Sequence, residues 1–388
     1  MKQLRGMTWN HERGLRPLVE ASKVYKEKYN VEITWDARSL SDFELFPLDQ
    51  LASEYDMLMI DHPHIGIAHA QNLLTPLENE LSAEFLKEQK DGTVGQSYMS
   101  YFWEGHQYAI PLDAATQVGA YHMDEMKALG KTPPKTWDDV FALAEGLPAD
   151  KKIAIPFVPV HAYSSFFTMC SHFSEELFWS NGADLSVEVG KKALDILTKV
   201  LAVSHEKSVD FDPILMLDAM MNGEEIVYSP LVYGYSNYAR EGFGKHVVKF
   251  IDMPKVGDLP KGSMIGGVGL CISSQSKEKE EVLRFMNMVS APSYQKKEFY
   301  DNGGQPGHID AWKDAHVNAD SNDFFIGTLD TLTHCSLRPR FSGYIDFQAE
   351  AGSRIREFCK NGGGDAEVFV NELNALIRKC RDNGGLSS

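Results

Sequence analysis

Three short stretches concentrate the side chains that could do chemistry. "TWNHERG" brings together Trp9, His11, Glu12 and Arg13; "DAR" holds Asp36 and Arg38; "DHPH" holds Asp61, His62 and His64. An indole offers a flat apolar face that stacks on a flat apolar face of a ligand. Imidazole, carboxylate and guanidinium groups bond hydroxyls or a carboxylate, arginine through two donors at once. Asp36 and Arg38 stand two residues apart on an expected strand and so face the same side. His62 and His64 have no third ligand nearby in sequence, so no metal centre is expected there. No Ser/His/Asp order, activated-cysteine motif or cofactor motif is present, and no cofactor is expected.

Each stretch closes an expected strand. Residues 3–9 read as a strand, and 14–29 as a helix with Leu15, Leu18, Val19, Ser22 and Tyr25 at helical spacing. "VEITWDARS" alternates as a second strand. "YDMLMIDHPHIG" is a short apolar strand broken by Pro63 and Gly66. This rhythm implies a parallel sheet with helical crossovers, whose ligands collect outside the carboxyl ends of the strands.

Further candidates follow. "PLDAATQVGAY" reads as a crossing between domains, with Asp113, Gln117 and Tyr121 able to point at a ligand. "YSPLVYGYSNYAR" is the most aromatic stretch, and Tyr233 and Asn237 are its candidates. "NGGQPG" lets backbone approach a ligand closely at Gly304 and Gln305, although it lacks the lysine of a phosphate loop. Arg338 and Arg340 in "RPR" could clamp a carboxylate or form surface ion pairs. Structural readings stand beside these: a helix cap at His11, an Asx cap at Asp61, core packing for Trp9 and the tyrosines, and crossover capping at Asp113.

The whole chain bounds these readings. With 388 residues it suggests two domains. A formal net charge of -17 repels phosphate backbones and anionic lipid, which argues against nucleic acid and membrane surfaces as partners. No apolar run reaches the ~20 residues that span a bilayer. Cys170, Cys271, Cys335, Cys359 and Cys380 are scattered and read as buried thiols, with a Cys359–Cys380 disulfide left open. The residues ahead of the first strand do not read as an export leader. Two expectations result: a periplasmic or extracytoplasmic protein whose leader was trimmed, or a cytoplasmic one.

"YDMLMIDHPHIGIAHAQNLLTPLE", "YAIPLDAATQVGAYHMDEM", "PPKTWDDVFALA", "MMNGEEIVYSPLVYGYSNYA", "GGVGLCISSQS" and "GGQPGHIDAW" follow one another in an order that resembles the family 1 extracellular solute-binding proteins. These are carbohydrate-binding components of ABC importers with the maltose-binding-protein type of fold. The resemblance implies an α/β, two-lobed periplasmic-binding-protein-like fold of type II, with mixed sheets flanked by helices and a hinge. It implies a first lobe from 1–112 with 266–315 and a second from 113–265 with part of 316–388, helices in 277–388 packing on both. It further implies a small oxygen-rich ligand, a sugar or sugar-acid-like compound, and an ABC permease as partner. The Arg- and His-rich strand ends lean toward an anionic or heavily oxygenated ligand. The alternative is a cytoplasmic enzyme on the same fold, with His11, Glu12, Asp61, His62 and Asp113 as acid–base groups.

Overall fold

The computed structural model describes residues 1–45, 47–174, 176–180, 182–257 and 261–385, so the last three residues of the expected C-terminal helical region lie outside the described residues. The chain divides into two compact units. Unit 1 comprises Met1–Ala115, Gly266–Val317 and Arg340–Ser342; unit 2 comprises Thr116–Ile265, Asn318–Pro339 and Gly343–Ser388.

Unit 1 is built on a five-stranded sheet. Strand β1 (Lys2–Trp9) pairs in parallel with β2 (Val31–Arg38) and with β3 (Met57–Asp61). The strand Val268–Ile272 then runs antiparallel between β3 and Ala109–Pro111. Its five residues are buried, as the apolar run "VGLCI" requires of a strand covered on both faces. Helix α1 (Glu12–Tyr29) buries Gly14, Leu18, Ala21, Ser22 and Tyr25 on one stripe and stops at Asn30, which is left-handed at φ 56°. The segment Arg340–Ser342 returns to this unit. It docks so closely that a Cβ on Gly66 would strike the Arg340 carbonyl.

Unit 2 has a sheet in the order Val248–Ile251, Ala115–His122, Ile226–Tyr233, Lys152–Ile153. The helices Pro159–Phe173, Val187–Val203, Tyr344–Lys360 and Ala366–Asn383 pack against one another in this unit. Gly352 permits the tightest of these approaches, since a Cβ there would meet the Pro159 carbonyl. The Tyr163 and Tyr344 hydroxyls bond each other at 2.7 Å in the same interior. Asn374 satisfies three buried groups at once: it accepts from Trp179 Nε1 and the Leu185 amide, and donates to the Leu185 carbonyl.

All five cysteines are buried free thiols, so the Cys359–Cys380 disulfide left open by the sequence is absent. Among the described residues, no helix is long and apolar enough to cross a membrane.

Candidate functional site

On unit 1 the three expected strand ends do lie side by side, because Trp9 pairs with Arg38 in register and β3 flanks β1 on the other side. Their side chains have different fates. Trp9 is 4% exposed, with its indole against Phe43 and over Gly14, where a Cβ would collide with the ring. It is a core residue of this unit. His11 caps α1: Nδ1 accepts from the Arg13 amide at 3.1 Å. Burial, with the Arg13 charge second, lowers its imidazole to about 4, so the ring is neutral at physiological pH. Glu12 is exposed and pairs loosely with Arg16 at 3.6 Å.

Arg13 and Asp113 come together across the sequence. The guanidinium donates through Nε to Asp113 Oδ2 at 2.7 Å and through Nη2 to Oδ1 at 2.5 Å, with both residues almost fully buried. Burial pushes the Asp113 carboxyl up; the Arg13 charge, their hydrogen bonds and the Val268 amide pull it back. A fork-to-fork pair of this kind matches the two charges to each other within the unit. Gln305 lies beside it, wholly buried, donating to the Ala114 carbonyl at 2.8 Å. Gly304 is chosen for space: a Cβ would strike the Phe299 ring.

At the end of β3, Asp61 accepts from the His62 amide at 2.9 Å and lies 3.2 Å from His62 Nδ1. His62 is fully buried, edge-on to Tyr101, and His64 Nε2 meets the Glu44 carbonyl. Arg38 is half-buried, whereas Asp36 is tied up with Tyr55 and Arg5, which hold its carboxyl below the usual range. Arg340 donates to the carbonyls of Met99, Ser100 and Phe102 and lies over Trp103. It serves as a clamp on its own chain.

On unit 2 the expected Gln117 is spent internally. Its amide donates to Ser165 Oγ at 3.0 Å and accepts from Thr168 Oγ1 at 2.7 Å. Tyr233 pairs with Gln117 in register and is half-buried at the end of its strand, and Asn237 is buried in the short 3-10 turn that follows. The residue that sequence reasoning missed stands next to them. His161, in the first turn of the helix Pro159–Phe173, lies edge-on to Tyr233 with ring centroids 5.9 Å apart. It is 3% exposed, and neither ring nitrogen has a hydrogen-bond partner among the described residues. Burial, helped by the Arg338 charge, lowers it to about 3. The only signal in the sequence is one imidazole within the apolar run "FVPVHAYSSFF".

A neutral imidazole carries one N–H donor and one bare acceptor. Two such positions without partners, beside a tyrosine and a helix N-terminus, complement a hydroxyl, which is likewise both donor and acceptor. Nothing in this group resembles a nucleophile with its base.

The family model described as bacterial extracellular solute-binding protein matches residues 8–296. Among curated proteins, no sequence matches. Solved structures are similar over nearly the full length. A solute-binding protein of an ABC transporter from Agrobacterium radiobacter K84, in complex with ribitol, superposes with a TM-score of 0.82 at 16% identity, covering 97% of this chain and 98% of that one. Maltose-bound MalE3 of T. maritima gives 0.82 at 15% identity, covering 98% and 100%. A solute-binding protein from Thermotoga Lettingae TMO bound with alpha-D-tagatose gives 0.82 at 16%, again covering 98% and 100%. At these identities the structures establish the fold, that of the two-lobed MalE-like periplasmic binding proteins.

Proposed function

The chain belongs to the bacterial extracellular solute-binding proteins, and from that premise we propose that its solute is an uncharged polyhydroxyl compound, a monosaccharide or sugar alcohol, delivered to an ABC permease outside the cytoplasm. The observation that carries the ligand class is the buried, unpartnered, neutral imidazole of His161 beside Tyr233. A buried polar atom left without a partner costs about 1–3 kcal/mol. A ligand hydroxyl on each side of the ring removes that cost. The ribitol, tagatose and maltose held by the similar structures are compounds of this kind.

The anionic solute suggested by the arginines has less behind it. Arg13 is matched by Asp113, and Arg340 is committed to three carbonyls. In this reading Tyr233, Asn237 and His161 contact the solute from unit 2. His11, Glu12, Arg38 and Asp61 are separate candidates on unit 1.

The test is calorimetric titration of pentoses, hexoses, pentitols, hexitols and the matching sugar acids, with each compound recovered and weighed by mass spectrometry. Saturable binding of a neutral polyol or sugar, recovered unchanged and weakened at least tenfold by His161→Phe, supports the reading. Preference for a sugar acid overturns the ligand class, and conversion of the compound overturns the receptor role.

A further inference from the structure

Unit 2 carries a second group of ligating side chains that the proposed solute site does not use. His122 ends the strand Ala115–His122, Asp124 lies in the first turn of the helix Met123–Ala128, and His246 stands just before the strand Val248–Ile251. The register explains why they meet: Val248 pairs with His122, and the Met123 amide bonds the Val247 carbonyl. One ligand atom from each of the three lies within 4.8 Å of the other two. The two imidazoles are 4.5 Å apart between ring centroids.

We propose that His122, Asp124 and His246 form a site for a borderline divalent transition metal of the Zn2+ or Co2+ kind. Two imidazoles and a carboxylate suit such ions, and three protein ligands leave a fourth position to water. Calcium and magnesium, which require oxygen ligands, do not fit.

Three details support the assignment. The buried His122 meets the Gly223 carbonyl through Nε2 at 3.1 Å. Metal-bound histidines are oriented in this way, by a carbonyl on the nitrogen away from the metal. It leaves Nδ1 as the ligating atom, whose competing contact with the Glu125 amide is long, at 3.3 Å. Asp124 Oδ2 lies 3.1 Å from His246 Nδ1, close to the ~3.4 Å between two ligands on a tetrahedral ion with bonds of about 2.1 Å. Finally, the His246 nitrogen that faces Asp124 is Nδ1, so both imidazoles would enter the site through Nδ1, and His246 Nε2 takes no part in it.

The site is remote from the proposed solute contacts within the same unit. His122 is five residues further along its strand than Gln117, the register partner of Tyr233, a separation of about 17 Å at ~3.3 Å per residue. A metal here ties the end of one strand to the segment entering its neighbour. It stabilises unit 2 without touching the solute.

The experiment uses the full chain after dialysis against EDTA. Titration with ZnCl2 should show one equivalent bound per chain and a rise in melting temperature. CoCl2 should give the visible bands of a four-coordinate ion. Asp124→Asn and His246→Ala, both changes at partly exposed positions, should keep the native circular dichroism and weaken Zn2+ binding at least tenfold. Equal Zn2+ affinity in both variants, or no saturable binding by the parent chain, overturns the proposal. Displacement of Zn2+ by equimolar CaCl2 or MgCl2 overturns the metal class.

Discussion

The guanidinium of Arg13 and the carboxylate of Asp113 face each other through two hydrogen bonds inside unit 1, one hundred residues apart in sequence. Burying a charge is costly unless its partner is present, so each residue makes the other tolerable. Arg13→Met should destabilise the protein by about 3–5 kcal/mol, because Asp113 is left as an uncompensated buried charge. The double variant Arg13→Met with Asp113→Leu should recover most of that loss. Urea unfolding of the three variants forms the cycle, and a double variant as unstable as the sum of the singles would show that the pair is not a unit.

His161 makes stability depend on pH in a defined direction. Its imidazole titrates at about 3 in the native state, against an ordinary value of 6.5. Between those values the unfolded chain binds the proton and the native chain does not. The native state therefore loses stability as pH falls from 6.5 toward 3, by about 1.4 kcal/mol per pH unit for one such group, and above 6.5 the contribution is constant. His172, lowered to about 4 by burial, adds to the same slope. Urea midpoints at pH 7 and pH 4.5 should converge in His161→Phe relative to the parent chain.

Gly66 has no room for a side chain, since its Cβ position is filled by the Arg340 carbonyl. Gly66→Ala should cost about 1–3 kcal/mol through overpacking. Hydrogen exchange should report it locally: the amides of 340–342 should exchange faster than in the parent chain, while those of Val268–Ile272 hold their protection.

The five thiols are buried, and burial raises Cys170, Cys271 and Cys359 well above a normal cysteine. A thiol reacts as its thiolate. Ellman's reagent should label none of the five over minutes in native buffer and all five in urea, in a single unfolding-limited phase.

Much of this was legible in the sequence, for local reasons. The alternation of "VEITWDARS" and the apolar runs "MLMI" and "VGLCI" each encode a strand by their own pattern. Helix α1 declares itself by the spacing of Leu18, Ser22 and Tyr25, all of which it buries. What each polar side chain does was far less legible. Arg13 looks the same in sequence whether it awaits a carboxylate ligand or Asp113. Gln117 sits where a ligand contact was expected, but Ser165 and Thr168 arrive from a helix some fifty residues on and consume its amide. His161 drew no notice because an imidazole in an apolar run usually finds a partner in the fold. Among the described residues its nitrogens find none, a fact of three-dimensional packing.

The antiparallel strand Val268–Ile272 in the middle of the unit 1 sheet also sets a timetable for folding. β3 and Ala109–Pro111 are synthesised early, yet neither is paired with the other; both wait for the strand Val268–Ile272, which begins about 160 residues after Pro111 and about 200 after Asp61. Until then the newborn N-terminal third exposes two bare strand edges, the feature that recruits chaperones and invites aggregation. Such distant pairing also slows folding, because the long loop must close before any contact rewards it. A chain unable to complete its first unit until Arg340–Ser342 are made stays longer in the unfolded form.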